Sequence, residues 1–261
     1  MKVSYVAIVL ALAMISGAQA QVTIIGTGSL SWNAGIFPGG VLPLIGQVVS
    51  LTTNAQVSVD TDVSIAGLTV NGGATASINI AAEQTFATSG DTEVNSGILF
   101  VNASGSYECD GDMLIEAGQN AVADLVIGAK ATVTVGGDFA MDAGAKLAFE
   151  AENKADEAQS GVTAIAVEGM ATFEGTLEVV LNDFVPSADV TLMTYASYMG
   201  EFASVEVVAS GSVSTRRLLE DYEVEYREGS LVMTAGAAGI AATSTAVLAL
   251  AAALVALVSS N

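Results

Sequence analysis

The sequence predicts an all-β fold, and within that class a right-handed parallel β-helix (β-solenoid), with a β-sandwich as the alternative. Apolar and polar residues alternate in short runs, as in Val57-Ser58-Val59, Ile78-Asn79-Ile80 and Val133-Thr134-Val135. A period of two is the pattern of a β-strand. Glycine-rich turns such as Gly72-Gly73 and Gly136-Gly137 separate the runs, as they do in sandwiches, barrels and solenoids alike.

A weak internal repeat favours stacked coils over two packed sheets. An apolar triplet followed by small turn residues recurs at residues 68–70, 99–101, 125–127 and 165–167. In stacked coils, large apolar side chains fill the interior and small residues occupy the corners where coils meet. We therefore expect coils over about residues 48–207 without a helix longer than two turns. A polar loop is expected at about 150–160 and an exposed loop at about 210–221.

Residues 1–20 have the organisation of a secretory signal peptide. Lys2 precedes an apolar run over 6–15, and the segment ends Ala18-Gln19-Ala20, which is an A-x-A cleavage site. The run is shorter than the roughly 20 residues that a membrane-spanning helix needs. We therefore expect a cleaved signal helix, a β-helix domain over residues 21–234 and entry into the secretory pathway.

Residues 235–261 predict attachment to a membrane. No charged residue follows Glu228, and the chain ends in an apolar helical tail over 245–258. Small residues at Ala235, Gly236 and Ala237, a short spacer and this tail have the layout of a GPI-attachment signal. The alternatives are a tail-anchored or single-pass helix, although no Lys or Arg flanks the tail to hold its orientation, and a helix packed on the domain. An anchor of either kind predicts a location on the outer face of the plasma membrane.

The composition excludes several classes of function. The chain carries 28 acidic and seven basic residues among 261, for a net charge of −21, which disfavours nucleic-acid binding because that affinity comes from Lys and Arg on phosphates. It contains no histidine, so hydrolase triads built on histidine are excluded. Its one cysteine, Cys109, cannot form an intrachain disulfide and is interpreted as a small buried side chain, with intermolecular pairing as the alternative.

Carboxylates are the remaining candidates for chemistry. Asp60 and Asp62 alternate at the end of an expected strand, which would put both on one face about 7 Å apart, as a ligand-binding or catalytic pair. Glu108, Asp110 and Asp112 offer the hard oxygen ligands that calcium prefers, although no calcium-loop consensus is present. Calcium is thus the one cofactor that the sequence admits, and solvated acidic faces are the alternative for both groups.

Two further residues are candidates for contact with glycans. Trp32 is the one tryptophan of the chain, and it is interpreted as a cap over the core of the first coil or as a platform for a sugar ring. Asn102 begins the sequon Asn102-Ala103-Ser104, an acceptor sequence for N-glycosylation in secreted proteins.

The opening of the domain resembles that of G8-like and autotransporter-passenger-like β-helix surface proteins. The resemblance rests on Ser31-Trp32, Pro43, the run Val57-Ser58-Val59-Asp60 and the strand Leu68-Thr69-Val70 before Gly72. The chain departs from that pattern at Gly46-Gln47, where the family has Gly-Asp. The later runs over 175–181 and 190–207 are similar to the closing coils of surface passengers. The resemblance implies an architecture and no particular activity.

Together, these features predict a secreted, membrane-anchored cell-surface protein with a structural or adhesive role and no catalytic activity. The alternative is a carbohydrate-active enzyme or a glycan-binding module that uses acidic residues on a β-helix face. A secreted glycan- or ice-binding module is a third reading. The expected partners are extracellular glycans or other surface proteins, together with the membrane through the C-terminal anchor.

Overall fold

The computed structural model describes residues 20–118, 121–152, 164–182, 189–210 and 222–235. The described chain is all-β, and its only helices are two 3-10 turns at Ala34–Ile36 and Pro38–Gly40. Its strands, in chain order, are β1 (Gln21–Ile24), β2 (Gly28–Ser31), β3 (Val48–Leu51), β4 (Ala55–Val59), β5 (Val63–Ile65), β6 (Gly67–Asn71), β7 (Ser77–Ile80), β8 (Thr85–Thr88), β9 (Thr92–Val101), β10 (Ser106–Cys109), β11 (Met113–Ile115), β12 (Ala123–Ile127), β13 (Thr132–Val135), β14 (Phe139–Met141), β15 (Lys146–Glu152), β16 (Ile165–Val167), β17 (Met170–Phe173), β18 (Thr176–Asn182), β19 (Val190–Thr194), β20 (Ser197–Gly200), β21 (Ser204–Ser210), β22 (Tyr222–Arg227) and β23 (Ser230–Ala235).

The strands stack in three parallel columns. Column A contains β1, β3, β6, β9, β11, β14, β17 and β20, and column B contains β2, β4, β7, β9, β12, β15, β18 and β21. Column C contains β5, β8, β10, β13, β16 and β19, and is closed by the antiparallel hairpin of β23 and β22. Parallel neighbours need a long crossover connection, and here the strands of the other two columns provide it.

This topology confirms an all-β fold of parallel sheets, which is compatible with a solenoid. Among the described strands, only the β19–β23 and β22–β23 pairs are antiparallel, whereas a sandwich is built from antiparallel sheets. The prediction that the coils begin near Val48 is wrong, because β1 already pairs with β3 from Gln21 onward. The predicted polar loop also starts too early, because β15 continues to Glu152.

The core lies between the three columns and is built from side chains that alternate inward. Equivalent positions of successive coils stack, so that each side chain lies over its counterpart in the previous coil. One such stack in column B is fully buried and consists of Val57, Ile78, Leu99, Leu125, Leu147 and Leu177. Burial of each such side chain contributes about 1.5–3 kcal/mol, so the sequence alternation is converted into a continuous apolar column.

Aromatic side chains fill both ends of the core. At the N-terminal end, Trp32 packs edge-on against Phe37 and Phe86, whose ring stacks on that of Tyr107. At the C-terminal end, Phe173 contacts Tyr195, Tyr198, Phe202 and Tyr226. The Tyr226 hydroxyl accepts a 2.8 Å hydrogen bond from the Phe202 N–H. The ends are therefore closed by ring packing.

Cys109 is buried, as the sequence predicts. Its thiol lies 3.4–3.5 Å from the carbonyl oxygens of Gly90, Gly111 and Asp112. A thiol in this position faces the backbone of one corner, so the alternative of intermolecular pairing requires the corner to open.

Candidate functional site

A groove of about 450 Å³ lies at the corner between columns A and B in the third, fourth and fifth coils, which begin with β6, β9 and β11 respectively. It is lined mainly by polar groups and small residues, which are Asn71, Glu93, Asn95, Ser96, Leu114, Glu116, Gly118 and Ala121. Ligand sites in proteins are concave and have volumes of about 300–1,000 Å³. This groove is the candidate functional site of the described chain.

The groove exists because one coil turns its corner more tightly than its neighbours. In the fourth coil, β9 runs through the corner without a loop, at Gly97 with φ +133°. A Cβ at Gly97 would lie 2.8 Å from both the Ala76 carbonyl oxygen and a Val70 methyl group, so only glycine fits. The coils on either side insert residues 72–76 and 116–122 between their strands. The tight corner is therefore recessed between two longer ones.

Carboxylates and amides of successive coils face each other in this groove. Glu93 and Asn95 alternate outward on β9, and the Asn95 amide lies 3.5 Å from a Glu93 carboxylate oxygen. Leu114 of β11 is the register partner of Glu93, which places Glu116 diagonally across from it. Asn71 extends the row into the third coil. These groups can donate and accept hydrogen bonds with the hydroxyls of a neutral sugar, while the two carboxylates repel anionic ligands.

A second charged arrangement lies on the outer face of column B. The Lys146 ammonium lies 4.0 Å from an Asp124 carboxylate oxygen and 3.7 Å from a Glu178 carboxylate oxygen. Burial raises the pKa of the Asp124 carboxyl, Lys146 opposes that change, and Glu178 adds to it. Ile98 and Phe100 point outward on the neighbouring strand, at the positions paired with Asp124 and Val126. The face thus combines an ion cluster with a small apolar strip.

Asp60 and Asp62 do not form the predicted pair on a strand face. β4 ends at Val59, so both carboxylates lie in the exposed turn before β5. An Asp62 carboxylate oxygen accepts a 2.9 Å hydrogen bond from the Thr85 N–H of the next coil. The prediction of strand geometry was wrong because the turn begins one residue after the last apolar side chain, and Asp62 instead connects two coils.

Glu108, Asp110 and Asp112 are not brought together as a set of metal ligands. Glu108 faces outward on β10, and Asp110 and Asp112 lie in the turn that follows it. One Asp112 carboxylate oxygen accepts the Asp138 N–H at 2.8 Å. Among the residues that the structure describes, no group of three Cys, Asp or Glu side chains is placed to hold a metal ion.

The structure places Trp32 in the position of a core cap. Only 6% of its surface is exposed, so the indole offers almost no surface on which a sugar ring could stack. The Asn102 amide donates a 2.7 Å hydrogen bond to the Ile80 carbonyl oxygen. Because a side-chain amide has two N–H groups, one remains for glycan attachment, and glycosylation of this sequon stays a prediction.

The predicted targeting segments lie largely outside the described residues. Residues 1–19 and 236–261, with Gly236 and Ala237, are not described, and Ala235 is the last residue of β23. In the described part of the chain, no helix is both long and apolar enough to cross a membrane. The loops predicted at about 150–160 and 210–221 also fall mostly on undescribed residues.

Sequence reasoning missed Glu93, Asn95 and Glu116, the groups that line the groove. For Glu93 and Asn95 the signal was present as polar residues at alternate positions of an uninterrupted run, Thr92 to Val101. The recess itself depends on the lengths of neighbouring corners, which became visible only once the coils were aligned. No family model, curated protein or solved structure matches the chain.

Proposed function

We propose that this chain is a secreted, membrane-anchored adhesive protein of the cell surface, built as a right-handed parallel β-helix and without catalytic activity. Its groove at the corner between columns A and B would bind a neutral extracellular glycan. The observation that carries this proposal is the recessed corner, where Asn71, Glu93, Asn95 and Glu116 converge on one concave volume. A regular stack of coils supplies a rigid scaffold for such a site.

The chemistry of the groove favours a neutral sugar over an acidic one. Amide and carboxylate groups satisfy sugar hydroxyls, and the described lining contains no Lys or Arg to neutralise a uronic acid or a sulfate. The domain also carries a strong negative charge, since 28 acidic residues face only six basic ones once Lys2 leaves with the leader. Anionic polysaccharides would therefore be repelled at long range.

Binding is tested with the full chain on an array of neutral and anionic glycans. The variants Asn95→Ala and Glu116→Gln should each lower the affinity for a bound neutral glycan by about tenfold, equivalent to about 1.4 kcal/mol. Asn79→Ala is the matched control, because Asn79 is an outward asparagine on column B whose amide bonds Ser77. Equal losses for Asn95→Ala and Asn79→Ala, or binding confined to anionic glycans, would contradict the proposal.

Carbohydrate hydrolysis is the second candidate function, and the groove is the reason to retain it. Glu116 directly follows β11 and lies diagonally across from Glu93 of the adjacent strand β9, and glycosidases use two carboxylates that flank one bond. Turnover of a neutral oligosaccharide that disappears in both Glu93→Gln and Glu116→Gln would replace the adhesive proposal with this one. Binding without turnover supports the adhesive role.

The proposed location is tested separately. A GPI anchor on Ala235, Gly236 or Ala237 would allow phosphatidylinositol-specific phospholipase C to release the protein from intact cells. Recovery of an intact peptide from residues 254–261 in the membrane fraction would indicate the single-pass helix instead. Sequencing of the mature N-terminus should find Gln21 if residues 1–20 are a signal peptide.

A further inference from the structure

The N-terminal end of the stack presents an exposed apolar loop. Residues 41–45 read Val-Leu-Pro-Leu-Ile, and Ile45 exposes 83% of its surface, Val41 59%, Leu44 53% and Leu42 47%. Ile25, directly after β1, exposes 49% of its surface. Single exposed apolar residues are ordinary on protein surfaces, whereas four exposed apolar side chains within five consecutive residues form a group of the kind that marks interaction sites.

This loop is held in a defined shape. The Gln47 side-chain oxygen accepts a 2.7 Å hydrogen bond from the Leu44 N–H, and the Gln47 N–H donates back to the Leu44 carbonyl at 3.0 Å. Ile36 and Phe37, just before the loop, are buried in the end of the core. The apolar side chains are therefore exposed by a constrained backbone that is anchored at both ends.

The same end of the domain is free of charge. No Asp, Glu, Lys or Arg occurs between Gln21 and Val59, whereas the mature chain as a whole has a net charge of −22. Two copies of such an acidic protein repel each other over most of their surfaces. The uncharged end is the surface across which they can approach with the least repulsion.

Backbone pairing indicates that the partner of the N-terminal end is a protein chain and not a lipid. Among the described strands, β1 pairs only with β3 and β2 only with β4, so the outer edge of the first coil is a strand edge at the end of each sheet. Unpaired N–H and C=O groups of such an edge can be satisfied by another chain but not by hydrocarbon. A basic partner protein would be drawn to the acidic coils and away from this end.

We propose that the N-terminal end, formed by Ile25 and residues 41–45, is a self-association surface that joins two copies of this chain end to end. The contact is isologous, with each loop packing against its counterpart across a two-fold axis. Each copy contributes five exposed apolar side chains, whereas a standard interface uses roughly 20–30 residues a side. The dimer is therefore weak and concentration-dependent. This inference does not depend on glycan binding, and only its experiment on cells rests on the proposed surface location.

The inference is tested by cross-linking the full chain on expressing cells. Ile45→Cys introduces an exposed thiol, and the native Cys109 is buried. A short bismaleimide should link two I45C copies into a dimer. Thr134→Cys, on the exposed outer face of β13, is the matched control and should yield at least tenfold less dimer. Adding Leu44→Asp to Ile45→Cys should also reduce the yield at least tenfold.

Equal yields for I45C and T134C, or a cross-link to a different protein, would overturn the proposal. A second measurement is sedimentation of the full chain in mild detergent over a wide range of concentration. The dimer fraction should rise with added salt, because salt screens the repulsion between the acidic copies. Monomer at every concentration, or an open-ended series of oligomers, contradicts a two-fold contact. Quenching of a fluorophore on the I45C thiol by brominated lipid would assign the loop to a membrane instead.

Discussion

The carboxylate of Asp112 accepts a 2.8 Å hydrogen bond from the backbone N–H of Asp138, the residue one coil further along the stack. Asp91 accepts the Asp112 N–H at 3.0 Å in the same way, and Asp138 accepts the Met170 N–H at 2.7 Å. Three aspartates thus form a ladder along the corner between columns C and A. Each carboxylate ties one coil to the next, so these acids are structural elements of the corner.

Removal of a ladder carboxylate should destabilise the stack. We expect Asp112→Ala to lower the free energy of unfolding by about 1–2 kcal/mol, because a charge-assisted hydrogen bond to a backbone N–H is lost. Asp112→Asn retains an oxygen acceptor and should lose less. Urea unfolding followed by circular dichroism measures the difference.

The control for this prediction is Asp110→Ala. Asp110 is an exposed acid of the same turn whose carboxylate accepts no hydrogen bond from another described residue. Its replacement should leave stability nearly unchanged. If Asp110→Ala and Asp112→Ala were equally destabilising, general charge effects rather than the ladder would determine the stability of the corner.

The glycine before each ladder position should resist substitution. A Cβ at Gly137 would clash with an Asp112 carboxylate oxygen and lie 2.9 Å from the Gly111 carbonyl. We expect Gly137→Ala to cost about 1–3 kcal/mol, because the neighbouring coil must shift to make room. Gly118→Ala is the control, since nothing lies within 4 Å of a Cβ there. Equal melting temperatures for the two variants would contradict close stacking at the corner.

The charge cluster on column B should make stability depend on pH. The folded state raises the pKa of Asp124, chiefly through burial, so the folded protein binds this proton more tightly than the unfolded chain does. The charged carboxylate is therefore a cost at neutral pH, and the cost is relieved as the pH falls through the raised pKa.

Asp124→Asn removes that cost permanently. The variant should have a higher melting temperature than the wild type near pH 7, and the difference should disappear once both are measured below about pH 3, near the unfolded pKa. Asp60→Asn, which removes one exposed carboxylate of the β4–β5 turn, controls for the change in net charge. A D124N variant that is less stable than the wild type at pH 7 would show that the ion pair with Lys146 outweighs the cost of burial.

The tyrosines of the C-terminal end predict loss of stability in alkali. Burial raises the pKa of Tyr195 to about 12 and raises that of Tyr226 as well, whereas an unfolded tyrosine titrates near 10. A group with a raised folded pKa contributes stability below its unfolded pKa, and that contribution is lost as the pH rises from about 10 through about 12.

The ultraviolet absorbance of tyrosinate measures this titration. Tyr195→Phe should shift the alkaline unfolding midpoint upward, because the unfolded state can no longer gain stability by ionising this ring. It also removes the 3.1 Å hydrogen bond from the Tyr195 hydroxyl to the Arg227 carbonyl. The quantity to compare between variant and wild type is therefore the change in stability from pH 7 to pH 11 within each protein. A Tyr195→Phe variant with the same pH dependence as the wild type would contradict the assignment.

The repeat visible in the sequence and the repeat of the structure are different. The apolar triplets that suggested a common coil position belong to three columns, since residues 68–70 lie in β6, residues 99–101 and 125–127 in column B, and residues 165–167 in β16. Inward triplets of all columns have the same alternation, so the pattern alone cannot distinguish them. The corner glycines, Gly90, Gly111, Gly137 and Gly169, mark the true coil period, because a Cβ at each would meet the preceding coil.

The sequence by itself determined the class of fold, because alternation with a period of two and glycine-rich turns are local properties of the chain. It also determined the excess of acidic residues and the uncharged stretch from Gln21 to Val59, and it predicted the burial of Cys109 that the structure confirms. Only the tertiary structure decided which polar residues meet. Asp112 and Asp138 are 26 positions apart, and Glu93 approaches Glu116 only through the register of β9 and β11. Contacts between coils depend on the total number of residues in the strands and corners that separate them. No short motif encodes that total.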